Sequence, residues 1–234
     1  MPIDTQRHEG IFDSRTCTNP IHIIGVGGIG SHVVRHLVLL GCGVVNELHV
    51  WDGDTVAPHN LANQIYVGRD VGQSKVSALG RHALSWGGVK LREHPQFFNV
   101  ALRPRGVVFL CVDTMQARKD IWESAIKSNA NVPLFVESRM DATNVLIHVI
   151  DPCNKTHVTE WERYWYPDSA ANNQIAGCGG KLAVGPTASA AADLAVWQFI
   201  RWAAVQQGYL DVLDQQIRMK MRPLELQTYQ WSDE

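Results

Sequence analysis

The amino-acid sequence predicts a fold of the α/β class, because runs with strand character and runs with helix character alternate along it. An apolar, β-branched run at 21–24 is followed at once by a cluster of glycines, and apolar residues then recur at helical spacing up to Leu40. Gly41 and Gly43 end this helix, and a second short run, ELHVWD, indicates a strand with Asp52 at its carboxyl end. Strand, loop, helix and strand in this order form a βαβ unit.

The length and composition favour one soluble domain. The chain has 234 residues, of which 45% are hydrophobic, and this is enough for one α/β core. The formal net charge of −2 gives no excess of positive charge for a phosphate backbone, so nucleic acid is not expected as a partner. No apolar run approaches the roughly 20 residues of a membrane-spanning helix. We therefore expect a single domain over 1–234, located in the cytoplasm and without a membrane contact.

The glycine loop GVGGIG indicates a phosphate site. Gly25 permits a tight turn, Gly27 lets the backbone approach a phosphate, and Gly30 allows the helix to pack closely on the strand. Asp52, about 20 positions further on, is placed to accept hydrogen bonds from ribose hydroxyls. These features predict a Rossmann-like nucleotide-binding domain. The alternative is that the glycines serve packing alone, and the loop does not specify which nucleotide binds.

The residues that follow Asp52 indicate which class of nucleotide site the chain forms. The run DGDTVAPHNLANQ resembles the signature of the ubiquitin-activating enzyme superfamily, in particular its small ThiF, MoeB and HesA adenylyltransferases. The matching residues are Asp52, Asp54, Val56, Asn60, Leu61 and Gln64. The resemblance continues in the run DVGQSKVSAL, where Lys75 matches a family lysine that faces the phosphates. A hydride-transfer site would need only ribose recognition here, so Asn60 and Gln64 disfavour a dehydrogenase.

A later strand and helix, VVFLCVDTMQARKDI, carry two more residues of the resemblance. Asp113 ends the strand at the position of the family's magnesium-binding aspartate, and Arg118 matches a common motif arginine. Adenylyl transfer develops charge on phosphate oxygens, which a metal on a hard oxygen ligand and cationic side chains would neutralise. The alternatives are that Asp113 caps the helix and that Arg118 lies on the helix surface.

One position departs from the family pattern. Asn63 stands where the motif has an arginine that contacts the triphosphate. One interpretation is that Arg7 or Arg15, in an N-terminal arm over residues 1–20, supplies the cation across a dimer interface. The other is that the protein binds nucleotide without turning it over.

The rest of the chain is expected to complete the sheet. The runs VPLFVESRMD and NVLIHVID indicate two strands, and 207–234 indicates one or two terminal strands. By resemblance the sheet has eight strands and is mixed, largely parallel and flanked by helices. Residues 153–183 show no sustained period and match the family's crossover loop, and a helix is expected from Thr187 to about Gln206.

The cysteines argue against both a disulfide framework and a structural zinc site. There are five, an odd number, and none forms a CxxC pair. Cys42 and Cys111 stand in apolar runs and are expected in the core. Cys178 has glycines on both sides and Lys181 nearby, and by resemblance to the thiamine-pathway members it is an acceptor thiol. The alternative is a loop cysteine without a role.

The resemblance implies an ATP-dependent adenylyltransferase that uses Mg²⁺. It would activate the terminal carboxylate of a small ubiquitin-like or sulfur-carrier protein with a Gly-Gly tail, and it would be a homodimer. The backbone at Gly27 and Gly28 and the side chain of Lys75 would hold phosphates, while Asn60 and Gln64 would orient them. A nicotinamide-dependent oxidoreductase and a catalytically weak nucleotide-binding scaffold stay open as alternatives, as do a peptide or a tRNA base as the acceptor.

Overall fold

One mixed sheet of eight strands forms the centre of the part of the chain that the computed structural model describes, residues 3–170, 182–209 and 212–231. The strands are β1 Ile21–Ile24, β2 Leu48–Trp51, β3 Arg92–His94, β4 Val107–Leu110, β5 Leu134–Met140, β6 Asn144–Ile150, β7 Gln216–Met221 and β8 Leu224–Tyr229. The helices are α1 Gly28–Leu39, α2 Lys75–Gly87, α3 Met115–Ile121, α4 Lys155–Glu162 and α5 Gly185–Gln206. A π-helical turn, Trp122–Ile126, continues α3. The α/β class and the eight-stranded mixed sheet are therefore confirmed.

The strand order places a cleft at the end of β1. The order is β3-β2-β1-β4-β5-β6-β7-β8, with β1 to β5 parallel and β6 to β8 antiparallel. The chain first moves outward from β1 to β3 and then returns to add β4 on the other side of β1. Ligands of open α/β sheets bind outside the carboxyl ends of the strands at such a point.

Helices cover both faces of the sheet. Apolar residues of α1, α2 and α5 pack on one face, where Phe199 lies against Phe109 with ring centroids 6.0 Å apart. The other face packs against α3, the π-helical turn and α4, where Trp122 lies 4.4 Å from Trp161 between ring centroids. Within the described ranges, no helix is both long enough and apolar enough to cross a membrane.

The expectation that residues 153–183 begin without regular structure is wrong at 155–162. The side chain of Asn154 accepts a hydrogen bond from the backbone N–H of His157 and so caps α4. Trp161 is the one residue of this helix that is fully buried, and it packs on Trp122 and Phe135. A helix held by one cap and one large side chain has too little apolar periodicity to be recognised in the sequence.

The N-terminal arm is docked on the domain. It contains a short 3₁₀ helix, Ser14–Thr16, and the ring of Phe12 is buried at 5.4 Å from that of Phe199. At the other end of the chain, β7 and β8 agree with the expectation of terminal strands.

Candidate functional site

Close packing of the glycine loop leaves the amino terminus of α1 open at the carboxyl edge of the sheet. Gly25 has φ +85°, and a Cβ there would lie 2.9 Å from the carbonyl oxygen of Cys111. A Cβ on Gly30 would overlap the carbonyl oxygen of Gly25. Gly27 precedes α1 without a side-chain cap. The first N–H groups of the helix thus have no intrahelical acceptor and can bind an anion.

Asp52 joins the end of β2 to the glycine loop. Its Oδ2 accepts a hydrogen bond of 2.9 Å from the backbone N–H of Val26, and its Oδ1 accepts one of 2.9 Å from that of Asp54. The residue is only 7% exposed. Each carboxylate oxygen has a second lone pair, so the same group can also accept a hydroxyl donor. The arrangement is suited to a ribose-binding acid, and that role stays a prediction.

Lys75 is buried at the same edge. It is the first residue of α2 and is 6% exposed. Its Nζ lies 2.8 Å from Oδ2 of Asp54 and 3.9 Å from Oδ1 of Asp52. A lysine on a solvated helix surface, the common alternative, does not describe this environment. The ammonium is held at one place by two carboxylates, with Asp54 itself about half exposed.

The segment from Asn60 to Gln64 lies on the glycine loop. Asn60 accepts a hydrogen bond of 2.9 Å from the backbone N–H of Ala57 and so shapes the 3₁₀ helix Pro58–Ala62. The amide nitrogen of Gln64 lies 3.9 Å from where a Cβ of Gly27 would stand. The side-chain oxygens of Asn63 and Gln64 are buried without a hydrogen-bond partner among the described residues. An unsatisfied buried acceptor is costly, and a ligand at this edge would offer a partner.

Asp113 lies in the loop between β4 and α3, at the carboxyl edge and exposed. Thr114 caps α3, since its hydroxyl accepts a hydrogen bond of 3.2 Å from the backbone N–H of Ala117, so the alternative in which Asp113 is the cap is wrong. The carboxylate of Asp168 accepts hydrogen bonds from the backbone N–H of Met115, 2.7 Å, and of Gln116, 3.1 Å. The segment after α4 is thereby anchored beside Asp113.

A buried charge cluster, consisting of Arg118, Glu137, Arg139 and His148, lies behind this loop. Glu137 is fully buried, and its carboxylate accepts hydrogen bonds from Arg118, from Nε of Arg139 at 2.7 Å and from Nδ1 of His148 at 2.8 Å. Arg118 also donates to the carbonyl oxygen of Val112, so the alternative of a helix-surface arginine is wrong. Burial alone would raise the pKa of Glu137, but the two guanidiniums and His148 hold it well below the usual range.

The cluster was missed from the sequence, although one signal of it is present. Glu137 and Arg139 stand two residues apart in the strand run LFVESRM, and that spacing puts both side chains on one face of the sheet. Two charges on a face that is otherwise apolar indicate a buried ion pair.

Comparisons with known proteins identify the family. The model of the ThiF family matches residues 14–232. The chain belongs to the ThiF family. No curated protein sequence matches the chain.

Solved structures share the fold. PaaA is 17% identical with a TM-score of 0.70, and the match covers 99% of this chain and 70% of PaaA. Escherichia coli MccB, solved with ATP, is 16% identical with a TM-score of 0.68, and the match covers 93% of this chain and 65% of MccB. The microcin C7 biosynthetic enzyme MccB in complex with N-formylated MccA gives a TM-score of 0.69 at 16% identity, with 93% of this chain and 66% of that one covered. The chain thus spans about two thirds of the length of the MccB structures.

One residue assigned by resemblance to the ThiF family, Arg15, is not brought to this edge. Arg15 pairs with Asp13 at 2.8 Å and with Glu9 at 3.6 Å. The arm contacts the far end of α1, where a Cβ on Gly41 would lie 2.7 Å from Oγ of Ser14, and that end is about 18 Å along the helix from the glycine loop. Cys178 lies outside the described residues.

Cys42 and Cys111 have no nucleophilic character. Cys42 is buried in the core, and burial raises the pKa of its thiol well above the usual value. Burial likewise raises the pKa of the Cys111 thiol to about 12. Neither forms the thiolate that a nucleophile requires near neutral pH. Cys42 lies in the core as expected, whereas Cys111 is only partly buried and packs against the core.

The site residues fit the nucleotide of a ThiF-family site. The glycine loop leaves space that a side chain would fill, and the unpartnered oxygen of Gln64 and hydroxyl of Ser74 lie beside the loop and Lys75 respectively. For magnesium, the described residues contain no group of three or more His, Cys, Asp or Glu side chains suited to a metal. Mg²⁺ is commonly held by one or two carboxylates together with substrate phosphates, so the single carboxylate of Asp113 fits a metal that arrives with a nucleotide.

Proposed function

We propose that the protein is an ATP-dependent adenylyltransferase that activates the C-terminal carboxylate of a peptide or small protein as an acyl-adenylate. The observation that carries the proposal is the convergence of Asp52, Lys75 and Gln64 on the glycine loop of a ThiF-family chain. In the proposed reaction a carboxylate oxygen bonds to the α-phosphorus. The bond from that phosphorus to the bridging oxygen breaks, and pyrophosphate leaves with the electron pair.

Each residue at the edge then has a defined task. The backbone N–H groups at Gly27 and Gly28 and the ammonium of Lys75 bind phosphate oxygens, and Asp52 accepts from the ribose hydroxyls. Asp54 holds Lys75 in place through the 2.8 Å ion pair, while Asn60 shapes the segment after β2 and Gln64 lies beside the loop, where both would orient the phosphates. Mg²⁺, held by Asp113, would supply neutralisation of the charge that develops on the phosphates.

The proposed partner is a small ubiquitin-like or sulfur-carrier protein with a Gly-Gly tail. The MccB structures with MccA support a polypeptide partner for this fold, since the match covers 94% of this chain and 66% of MccB. We further propose a cytoplasmic homodimer in which Arg15 of one protomer serves the site of the other, because Asn63 offers no cation. Transfer of the acyl group to Cys178, with release of AMP, is a later step of the same proposal.

Pyrophosphate exchange into ATP, measured with candidate carriers, tests the function. The wild type is expected to exchange label only when a carrier with a free C-terminus is present, and Asp113→Ala and Lys75→Ala are expected to lose exchange by at least about a hundredfold. Asp120→Ala is the matched control, since it removes an exposed carboxylate from α3. Exchange in Asp113→Ala at the rate of this control would remove the metal role from Asp113.

The acceptor thiol is tested in the same assay. Cys178→Ala is expected to keep pyrophosphate exchange and to lose a thiol-sensitive adduct between enzyme and carrier. Cys153→Ala is the control, because it removes an exposed cysteine that is assigned no role. An adduct of equal yield in both variants would contradict a thioester at Cys178.

Asn63 favours a second candidate, a scaffold or inactive subunit that binds ATP without turning it over. This protein would bind ATP and show no exchange with any carrier. Asn63→Arg restores the cation of the family pattern, so exchange that appears only in this variant would identify the scaffold.

A further inference from the structure

Two consecutive phenylalanines follow β3, and they have opposite environments. Phe98 is buried, and its ring lies 5.1 Å from that of Trp51 in an edge-to-face arrangement. Phe97 is 73% exposed. Phe98 therefore anchors the loop after β3 on the sheet, and the anchored loop presents the ring of Phe97 to solvent at a fixed place.

That place is directly beside the ribose-binding acid. A Cβ on Gly53 would lie 3.0 Å from ring carbons Cδ2 and Cε2 of Phe97, so the ring rests on the backbone of Gly53. Gly53 follows Asp52 in the chain, and β3 is the strand that pairs with β2, with Trp51 opposite His94. The absence of a side chain at Gly53 is what allows this close approach.

The position of the base follows from the order of groups in a nucleotide. The ribose separates the phosphates from the base, and here the phosphate cradle at α1 and the carboxylate of Asp52 are joined through Val26. With phosphates at α1 and ribose at Asp52, the base extends to the side of Asp52 away from α1. Gly53 and the ring of Phe97 lie next to Asp52 at that edge of the sheet.

We infer that the exposed ring of Phe97 is a stacking platform for the base of the bound nucleotide, and that it sets a preference for purine over pyrimidine nucleotides. Aromatic rings bind the π-face of a base, and the larger purine covers more of the ring. The inference rests on the proposed function, because it uses the same nucleotide site.

Calorimetric titration with ATP, CTP and inorganic tripolyphosphate tests this role. Phe97→Ala is expected to weaken ATP binding by about tenfold, to weaken CTP binding less and to leave tripolyphosphate binding unchanged. Phe97→Trp is expected to bind ATP at least as tightly as the wild type. Leu84→Ala is the control, because it truncates a similarly exposed apolar side chain on α2, 54% exposed.

The outcomes separate this inference from the function it rests on. Equal ATP affinity in Phe97→Ala and in the wild type would overturn the stacking role and leave the adenylyltransferase proposal standing. A parallel loss of tripolyphosphate binding would also overturn it, since the ring would then shape the phosphate cradle instead. A wild type that binds none of the three ligands would overturn the function and the inference together.

Discussion

The two sides of the cleft are stabilised in different ways. The β1–β2 side consists of residues 21–75, and short polar contacts to backbone groups hold it together, as when Asp52 accepts from Val26. The β4–β5 side is held by buried charges from separate elements, with Glu137 of β5 bound to Arg118 of α3 and His148 of β6. Removing one contact is therefore expected to perturb the first side locally and the second side globally.

The largest effect on stability is expected from Glu137→Ala. This change leaves two buried guanidiniums without their carboxylate, and breaking a buried ion pair by removing one partner costs about 3–5 kcal/mol. Urea denaturation followed by fluorescence measures the free energy of unfolding. Glu225→Ala is the control, because it removes one partner of an exposed pair with Lys220 and should cost below about 1 kcal/mol. Equal losses in the two variants would show that the cluster contributes no more than a surface pair.

A substitution on the other side should impair nucleotide binding before it unfolds the protein. Gly30→Ala forces a methyl group against the carbonyl oxygen of Gly25, and overpacking of this kind costs about 1–3 kcal/mol. The shift of α1 should abolish ATP binding in a calorimetric titration while the protein stays folded. Gly68→Ala is the control, since a Cβ there meets nothing within 4 Å. Unchanged ATP affinity in Gly30→Ala would mean that the loop does not form the phosphate site.

The two sides also differ in how much of their structure could be predicted from the sequence. The β1–β2 side is nearly contiguous, so the glycine spacing and Asp52 could be placed relative to one another by local rules, and Lys75 was placed by resemblance to the family. The buried charge cluster joins Arg118, Glu137 and His148 across three elements, and nothing local in the sequence specifies which charges meet. The anchoring of Asp168 on α3, more than 50 positions away in the chain, was out of reach for the same reason.

Acid should weaken the β1–β2 side through a buried histidine of β1. Burial, with a smaller contribution from His49, lowers the pKa of His22 in β1 to about 4. As the pH falls, this imidazole therefore binds a proton near pH 6.5 in the unfolded chain and only near pH 4 in the folded protein. The free energy of unfolding should therefore fall by at most about 3 kcal/mol as the pH drops from 6.5 to 4.

The variant His22→Leu should remove the contribution of His22 to this slope and leave that of the other histidines whose pKa burial lowers, which are His32, His36, His94 and His148. Glu137 does not add to this slope. Its pKa is lowered in the folded protein, so the stability that it contributes is kept down to the unfolded-state pKa of 4.5 and is lost only as the pH falls further. Urea denaturation at a series of pH values measures the slope, with His59→Leu as the control at an exposed histidine. A slope in His22→Leu equal to that of the wild type would assign the acid sensitivity to the other groups.

The smallest effect on stability, and the sharpest test of the missing cation, is expected from Arg15→Ala. The side chain is 65% exposed and its pairs with Asp13 and Glu9 are surface contacts, so the urea midpoint should not move measurably. If Arg15 completes the site of a partner protomer, the variant should nevertheless lose pyrophosphate exchange.

Mixing the Arg15→Ala variant with the equally inactive Asp113→Ala should then restore about a quarter of the wild-type sites, because half of the dimers are mixed and each has one intact site. Arg7→Ala tests the other candidate cation of the same arm. Full exchange in Arg15→Ala alone would show that the cation comes from elsewhere, and an inactive mixture would place the action of Arg15 within its own chain.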